Sequence, residues 1–512
     1  MLAHRLLCCR RPCLVTSSRI LQAVPRPRYS STQGQNRTIT SSAITATACF
    51  AAGATAGWVA FRNGSRDDLA SAAAKSVPTY ASNQVPDLNR LGTSDEITYA
   101  PPPTSEEVTK QLNEKAFSLA GPKGITRYDG TQVASNSPCE DAFMHGSFSS
   151  PFGGEDWMAW AVFDGHCGWQ TSNMLTRQLM PFVRRALSEV RSQNAGGSSG
   201  DVPEEAIHSA LKKAFTTLDD SLVKSAADTI KSGISFPEKA RRLELAYAGA
   251  CALLALYDPA TRTLRVASTG DCRAVLGQRA ADGRWEATEL TTDQTGANPA
   301  EIARLQAQFP DEPEVVKGGR VWGMQPSRTF GDGMWKWAAR LKQELRHHYN
   351  GLSLPSGTRY KDYKEGPYLT AEPAVRTVSL DPARPAFLIL ATDGLWDTMS
   401  SAQAVDLVGR WVDWQMPEGG KGKAQTPPPP NPNPNPNPTD FGPTVLGWKQ
   451  QCKYEERKAT LQDDNAAVHL VRNGLGGAHD EMVRGALTFR YPNARDIRDD
   501  MTVQVVFFSP ER

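Results

Sequence analysis

The chain has 512 residues, with 57 Lys and Arg against 55 Asp and Glu, and 39% of it is hydrophobic. That length can bury a large core, and a net charge of +2 excludes the strong basic field that nucleic-acid binding requires. The nine cysteines are scattered without a C-x-x-C pair, which speaks against a disulfide framework or a thiolate zinc site.

No acidic residue precedes Asp67, while Arg5, Arg10, Arg11, Arg19, Arg26, Arg28 and Arg37 are interleaved with leucines and serines. This composition predicts a mitochondrial presequence over residues 1–42. Residues 43–61 are uncharged and long enough for a single membrane span, with Trp58 and Arg62 suited to an interface, although Ala, Thr and Gly dominate them. A span there would anchor the body to a mitochondrial membrane, the inner one being favoured. Residues 62–115 read as a linker ending in a short helix over Thr104–Phe117, and the body follows over 116–512.

Within the body, the apolar run Trp157–Phe163 reads as a buried strand and delivers Asp164-Gly165-His166 at its end. Helical spacing follows over Met174–Val190, with Pro181 expected to bend it, and again over Ile207–Leu222. Gly249–Tyr257, Arg262–Ser268 and Arg273–Leu276 read as an antiparallel meander turned at Asp258-Pro259-Ala260 and Gly270-Asp271. Cys251 and Cys272 lie in these runs as small buried hydrophobes. Asn298-Pro299-Ala300-Glu301 has the pattern of a capping box opening a helix. The dense glycines of Gly318–Gly323 and Ser327–Asp332 mark special backbone geometry. Phe387–Ala391 is another buried strand, ending in Asp393-Gly394, and Ala402–Trp414 is an amphipathic helix. Residues 424–442 form a stiff Pro/Asn-rich insertion, and Asp499-Asp500 stand just before the closing strand Thr502–Phe508. Helices inserted in pairs between strands predict an α+β protein of antiparallel sheets, not a doubly wound parallel sheet.

Asp164 and Asp393 end strands, Asp499 and Asp500 begin one, and Glu140-Asp141 open the body. Oxygen donors with no thiolates suit Mg²⁺ or Mn²⁺, and several carboxylates can share one place only if cations neutralise them. Two such ions can clamp a phosphoryl group during in-line displacement.

The ordered blocks Glu140-Asp141, Phe163–Gly168, Gly249–Cys251, Thr269–Asp271, Ser327-Arg328 with Gly331-Asp332, Thr392–Asp397 and Asp499–Thr502 resemble those of the metal-dependent type-2C serine/threonine protein phosphatases. The resemblance implies two antiparallel sheets packed as a β-sandwich, flanked on both outer faces by pairs of helices. It implies two Mg²⁺ or Mn²⁺ ions, with a weaker third. Asp164 would bridge the metals, Asp393 and Asp499 would bind one, and Glu140 with the Gly165 carbonyl the other. Asp271 with Asp393 would hold the third ion. Asp141 would orient water, a metal-bridging hydroxide would be the nucleophile without a phosphoenzyme, and His166 would be the general acid, its pKa raised by nearby Asp164.

The family's phosphate-gripping arginine, four residues before the glutamate, is here Asn136, a candidate phosphate contact that cannot form a bidentate ion pair. That asparagine, Gly331–Trp337 and Tyr368–Pro373 resemble the mitochondrial pyruvate dehydrogenase phosphatase branch. The expected partner is therefore a phosphoprotein, the pyruvate dehydrogenase E1 α subunit. Many members have Asp-Asn where this chain has Asp499-Asp500. The competing readings are a phosphatase for another mitochondrial protein and a phosphoprotein-binding module without turnover, for which Asn136 alone speaks.

Overall fold

The structure, a computed structural model, describes residues 103–193, 202–349, 365–415 and 453–510. The presequence, the 43–61 segment, most of the linker and the 424–442 insertion lie outside the described residues. Among the described residues no helix is long and apolar enough to cross a membrane.

Two antiparallel sheets carry the fold. One has the order β1 (Phe117–Leu119), β2 (Ile125–Val133), β14 (Met501–Phe508), β13 (Ala386–Ala391), β7 (Arg273–Arg279), β8 (Trp285–Glu289). The other has the order β12 (Ala374–Ser379), β6 (Thr263–Thr269), β5 (Gly249–Asp258), β4 (Trp157–His166), β3 (Ala142–Phe148). The short β11 (Phe330–Gly331) adds to β5, and β9 (Val316–Lys317) pairs β10 (Arg320–Val321) in a separate hairpin.

Period-two alternation assigns each strand residue to a layer. On β4, Met158, Trp160 and Val162 enter the core between the sheets, where they meet Leu388, Leu390 and Val506. Ala159, Ala161 and Phe163 face outward against α2 (Gln170–Gln193) and α3 (Glu204–Lys231). On the other sheet, Phe387, Ile389, Val503 and Val505 face outward. They pack with α1 (Ser105–Asn113), α9 (Ser401–Gln415), α10 (Ala466–Gly474) and α11 (Asp480–Thr488). Strands covered on both faces need apolar residues at every position, which is why these runs are continuous and not alternating. Each fully buried Leu, Ile or Phe contributes about 1.5–3 kcal/mol relative to exposure.

Several sequence expectations are corrected. Helix α1 belongs to the body and not to a linker, because Val108 and Leu112 are fully buried in the outer core. A third helix, α4 (Phe236–Tyr247), buries Leu243 and Ala246 beside α3. The meander holds only for β5 and β6. At Gly270–Cys272 the chain leaves that sheet, and β7 pairs β13 and β8 in the other. The capping box is half made. Asn298 caps α5 (Pro299–Gln308) through the Ala300 N–H, but Glu301 turns instead to Arg328, Arg304 and Ser327. Three stronger partners, two of them cationic, outcompete one backbone N–H.

Candidate active site

The inter-sheet core changes character along its length. Toward one end, the inward positions of β14 run Phe508, Val506, Gln504, Thr502, and then Asp500 just before the strand. Those of β4 run Met158, Trp160, Val162, Asp164, and those of β13 run Leu388, Leu390 and then Thr392. The pairing of Leu390 with Gln504 and of Thr502 with Gln132 brings these polar ends level. Gln504 reaches across the sandwich, its Nε2 donating to the Ala161 carbonyl at 2.8 Å.

Carboxylates gather at this end. Asp164 ends β4, Asp271 sits at the crossover between β6 and β7, and Asp393 opens α8 (Asp393–Trp396) after β13. One carboxylate oxygen from each lies within 4.8 Å of the others. Burial, with repulsion from Asp393 and Asp141, pushes Asp164 well above the usual carboxylate range. Burial and Asp271 push Asp393 up to about 8. Asp271 is raised by burial although the Cys251 thiol donates to it at 3.1 Å. An all-oxygen set, with Asp271 buried and Asp164 and Asp393 half-buried, that repels itself in this way fits a hard divalent cation.

Asp141 lies beside this set, not in it. Its Oδ2 accepts from Thr392 Oγ1 at 2.9 Å and Thr502 Oγ1 at 2.8 Å. Burial and Asp500 still push it up to about 8. Glu140 lies outside the trio too; its Oε1 accepts from the Gly168 N–H at 2.6 Å and its Oε2 from Asn136 Nδ2 at 3.0 Å. Asn136 also donates to Asp500, so its amide serves two carboxylates. Asp499 forms an ion pair with Arg495. Both Asp-Gly pairs need glycine for close approach: a Cβ at Gly165 would collide with the Glu140 carbonyl, and one at Gly394 with that of Asp500.

The ring of His166 has a carboxylate partner that sequence reasoning missed. Its Nε2 lies 2.7 Å from Oδ2 of Asp332, which is fully buried. Burial lowers the His166 pKa, but Asp332 outweighs it and the net direction is upward; the carboxylate responsible is thus Asp332, where Asp164 was expected. Asp332 stands in the left-handed region, with φ of 50°, at the start of α6 (Gly333–Lys336), ahead of α7 (Ala339–Tyr349). Such a conformation persists only where its surroundings enforce it. Here Asp219 on α3 accepts from the Gly331 N–H at 2.8 Å and from Lys336 Nζ at 2.7 Å. Gly249 supplies the space, since a Cβ there would overlap both His166 Nε2 and Asp332 Oδ2.

Asp500 is legible in the sequence as a candidate, but its role is not. It accepts from the backbone N–H of Asn136 at 2.9 Å and of Glu140 at 2.9 Å, and from that of Ser135, and so shapes the loop presenting Glu140. Its inward parity with Thr502 and Gln504 was the available signal.

The family model described as "Protein phosphatase 2C" matches residues 130–419. A protein phosphatase 2C homologue of Schizosaccharomyces pombe is 38% identical over 80% of this chain and 86% of its own. The mitochondrial pyruvate dehydrogenase (acetyl-transferring) phosphatase 1 of Saccharomyces cerevisiae is 32% identical over 75% of this chain and 69% of its own. The human protein of the same name is 28% identical over 82% and 85%. With a family model that covers more than half of the chain and contains the carboxylate trio, the chain belongs to the protein phosphatase 2C family.

Proposed function

We propose that this chain hydrolyses phosphoserine and phosphothreonine on a mitochondrial protein, with the pyruvate dehydrogenase E1 α subunit as its target. The observation that carries the reaction is the convergence of Asp164, Asp271 and Asp393 at the end of the sandwich that also holds the His166–Asp332 pair. The target rests on the relatives named as pyruvate dehydrogenase phosphatases and on the presequence-like residues 1–42.

Asp164, Asp393 and Asp271, with Asp499, Glu140 and the Gly165 carbonyl, would hold two Mg²⁺ or Mn²⁺ ions and a weaker third. When bound, such ions supply an activated water and offset the charge growing on the phosphoryl oxygens. Asp141 is held by two threonine hydroxyls at Oδ2, which leaves Oδ1 to orient the attacking water. Asp332 engages His166 at Nε2 and favours the imidazolium, so Nδ1 carries the proton for the departing serine or threonine oxygen. Asn136 is engaged with Glu140 and Asp500, so its contribution to phosphate binding is indirect.

The full chain with Mn²⁺ is expected to release phosphate from phosphorylated E1 α, and EDTA to stop it. Tight binding of the phosphoprotein without release would replace this reading by that of a binding module. Equal rates on E1 α and an unrelated phosphoprotein would remove the target. Gly249→Ala is expected to lower kcat by about 10²-fold by forcing His166 and Asp332 apart, while Mn²⁺ affinity stays unchanged. An unaltered kcat would show that the pair does not matter to the reaction.

A further inference from the structure

A phosphate ester brings two negative charges toward the converging carboxylates of Asp164, Asp271 and Asp393, with Asp141 beside them. Like charges this close oppose its entry unless a cation meets it. The chain supplies one at Arg495, in the short turn Asn493–Asp496 that leads into Asp499. Its side chain is 40% exposed, its Nη1 is ion-paired to Asp499, and its charge acts on both Glu140 and Asp141.

The neighbouring Arg498 is used differently. Arg498 is buried and donates to the backbone carbonyls of Ala486, Phe489 and Ala134, which ties down the end of the turn. One arginine is committed to structure, and the other is paired to Asp499. Asn136 cannot take its place without giving up Glu140 and Asp500. A guanidinium has two donor edges and matches phosphate oxygens in pairs, so an arginine can rest on a carboxylate and still offer a fork to an anion.

We propose that Arg495 is the phosphate-anchoring residue of this site, steadied on Asp499 until substrate arrives. The proposal rests on the phosphatase reading above, and inorganic phosphate separates the two because its binding needs no turnover. The test uses the full chain, its Arg495→Met and Arg495→Lys variants, and calorimetric titration of inorganic phosphate with Mn²⁺ present. Arg495→Met is expected to weaken phosphate about tenfold or more and to raise KM for a phosphopeptide similarly, with kcat changed less than about threefold. Arg495→Lys, a point charge without the fork, should fall between. Mn²⁺ affinity, titrated without phosphate, should hold or tighten, because a competing cation has been removed from Asp499. Phosphate affinity within about twofold of wild type would overturn the assignment. So would a parallel loss of Mn²⁺ and phosphate, which would mean that Arg495 only organises Asp499, or a wild-type chain that binds no phosphate. A wild-type chain that binds phosphate through Arg495 yet turns over no phosphoprotein would overturn the catalytic reading and leave this one standing.

Discussion

Asp393→Asn is expected to lose at least about a thousandfold in kcat/KM, yet to unfold at a higher temperature than wild type when both are treated with EDTA. Asp393 stands half-buried beside Asp164 and Asp271, and removal from water and repulsion together push its carboxyl up to about 8. The trio is therefore a source of instability that a bound cation would relieve. Replacing the carboxyl by an isosteric amide removes the cost of that raised pKa, an amount on the order of 2 kcal/mol. With Mn²⁺ the order should reverse. Wild type gains about 2.7 kcal/mol when the ion is at a hundred times its Kd, and the variant, lacking one ligand, gains little. Thermal unfolding of both proteins with EDTA and with Mn²⁺ gives four midpoints that decide the matter. A variant less stable in EDTA and equally stabilised by Mn²⁺ would remove Asp393 from the metal set.

Asp500→Ala is expected to cost about 3 kcal/mol of stability and at least tenfold in Mn²⁺ affinity. Burial alone would raise the Asp500 carboxyl, but the N–H groups of Asn136, Ser135 and Glu140 and the Asn136 amide hold it below its ordinary value. Removing it leaves those donors unpaired in a half-buried loop and loosens Glu140. The sign of the pH dependence follows from the lowered pKa. Its contribution is complete above the unfolded carboxylate value of about 4 and is lost as pH falls through the lower folded one. The stability gap between wild type and Asp500→Ala, measured by urea unfolding, should therefore be constant near neutrality and close below about pH 4. A gap unchanged down to pH 2.5 would contradict an ionised Asp500, and an unaltered Mn²⁺ affinity would detach its loop from the metal ligands.

The strands were legible because both faces are covered: Trp157–Phe163 and Phe387–Ala391 are apolar throughout, and length and flanking Asp-Gly pairs marked them as strands. Asp164 and Asp393 were legible because each interrupts such a run at its end. Asp271 was placed in a turn within one sheet, and local turn chemistry cannot tell a hairpin from a crossover between sheets. Only long-range pairing, β7 with β13, decides that. The role of Asp332 was hidden for the same reason: it acts on His166 from 166 residues away, through a turn set by Asp219 on another helix. At Gly165 and Gly394 the need for glycine is that another carbonyl passes close by, a property of the partner segment that a local reading cannot see.

Strand β14 has a further meaning for how this protein can change. One face of a single strand spells out the whole path from oily interior to acid rim: Phe508, Val506, Gln504, Thr502, Asp500. The opposite parity holds Phe507, Val505, Val503 and Met501. Deleting one residue inside it would leave hydrophobicity almost untouched while exchanging the two sets, aiming valines at Asp141 and amides at the helices. Variation in length should accordingly be confined to the connecting segments, whereas in β14 substitutions can be absorbed one at a time and a frame slip of even one residue cannot.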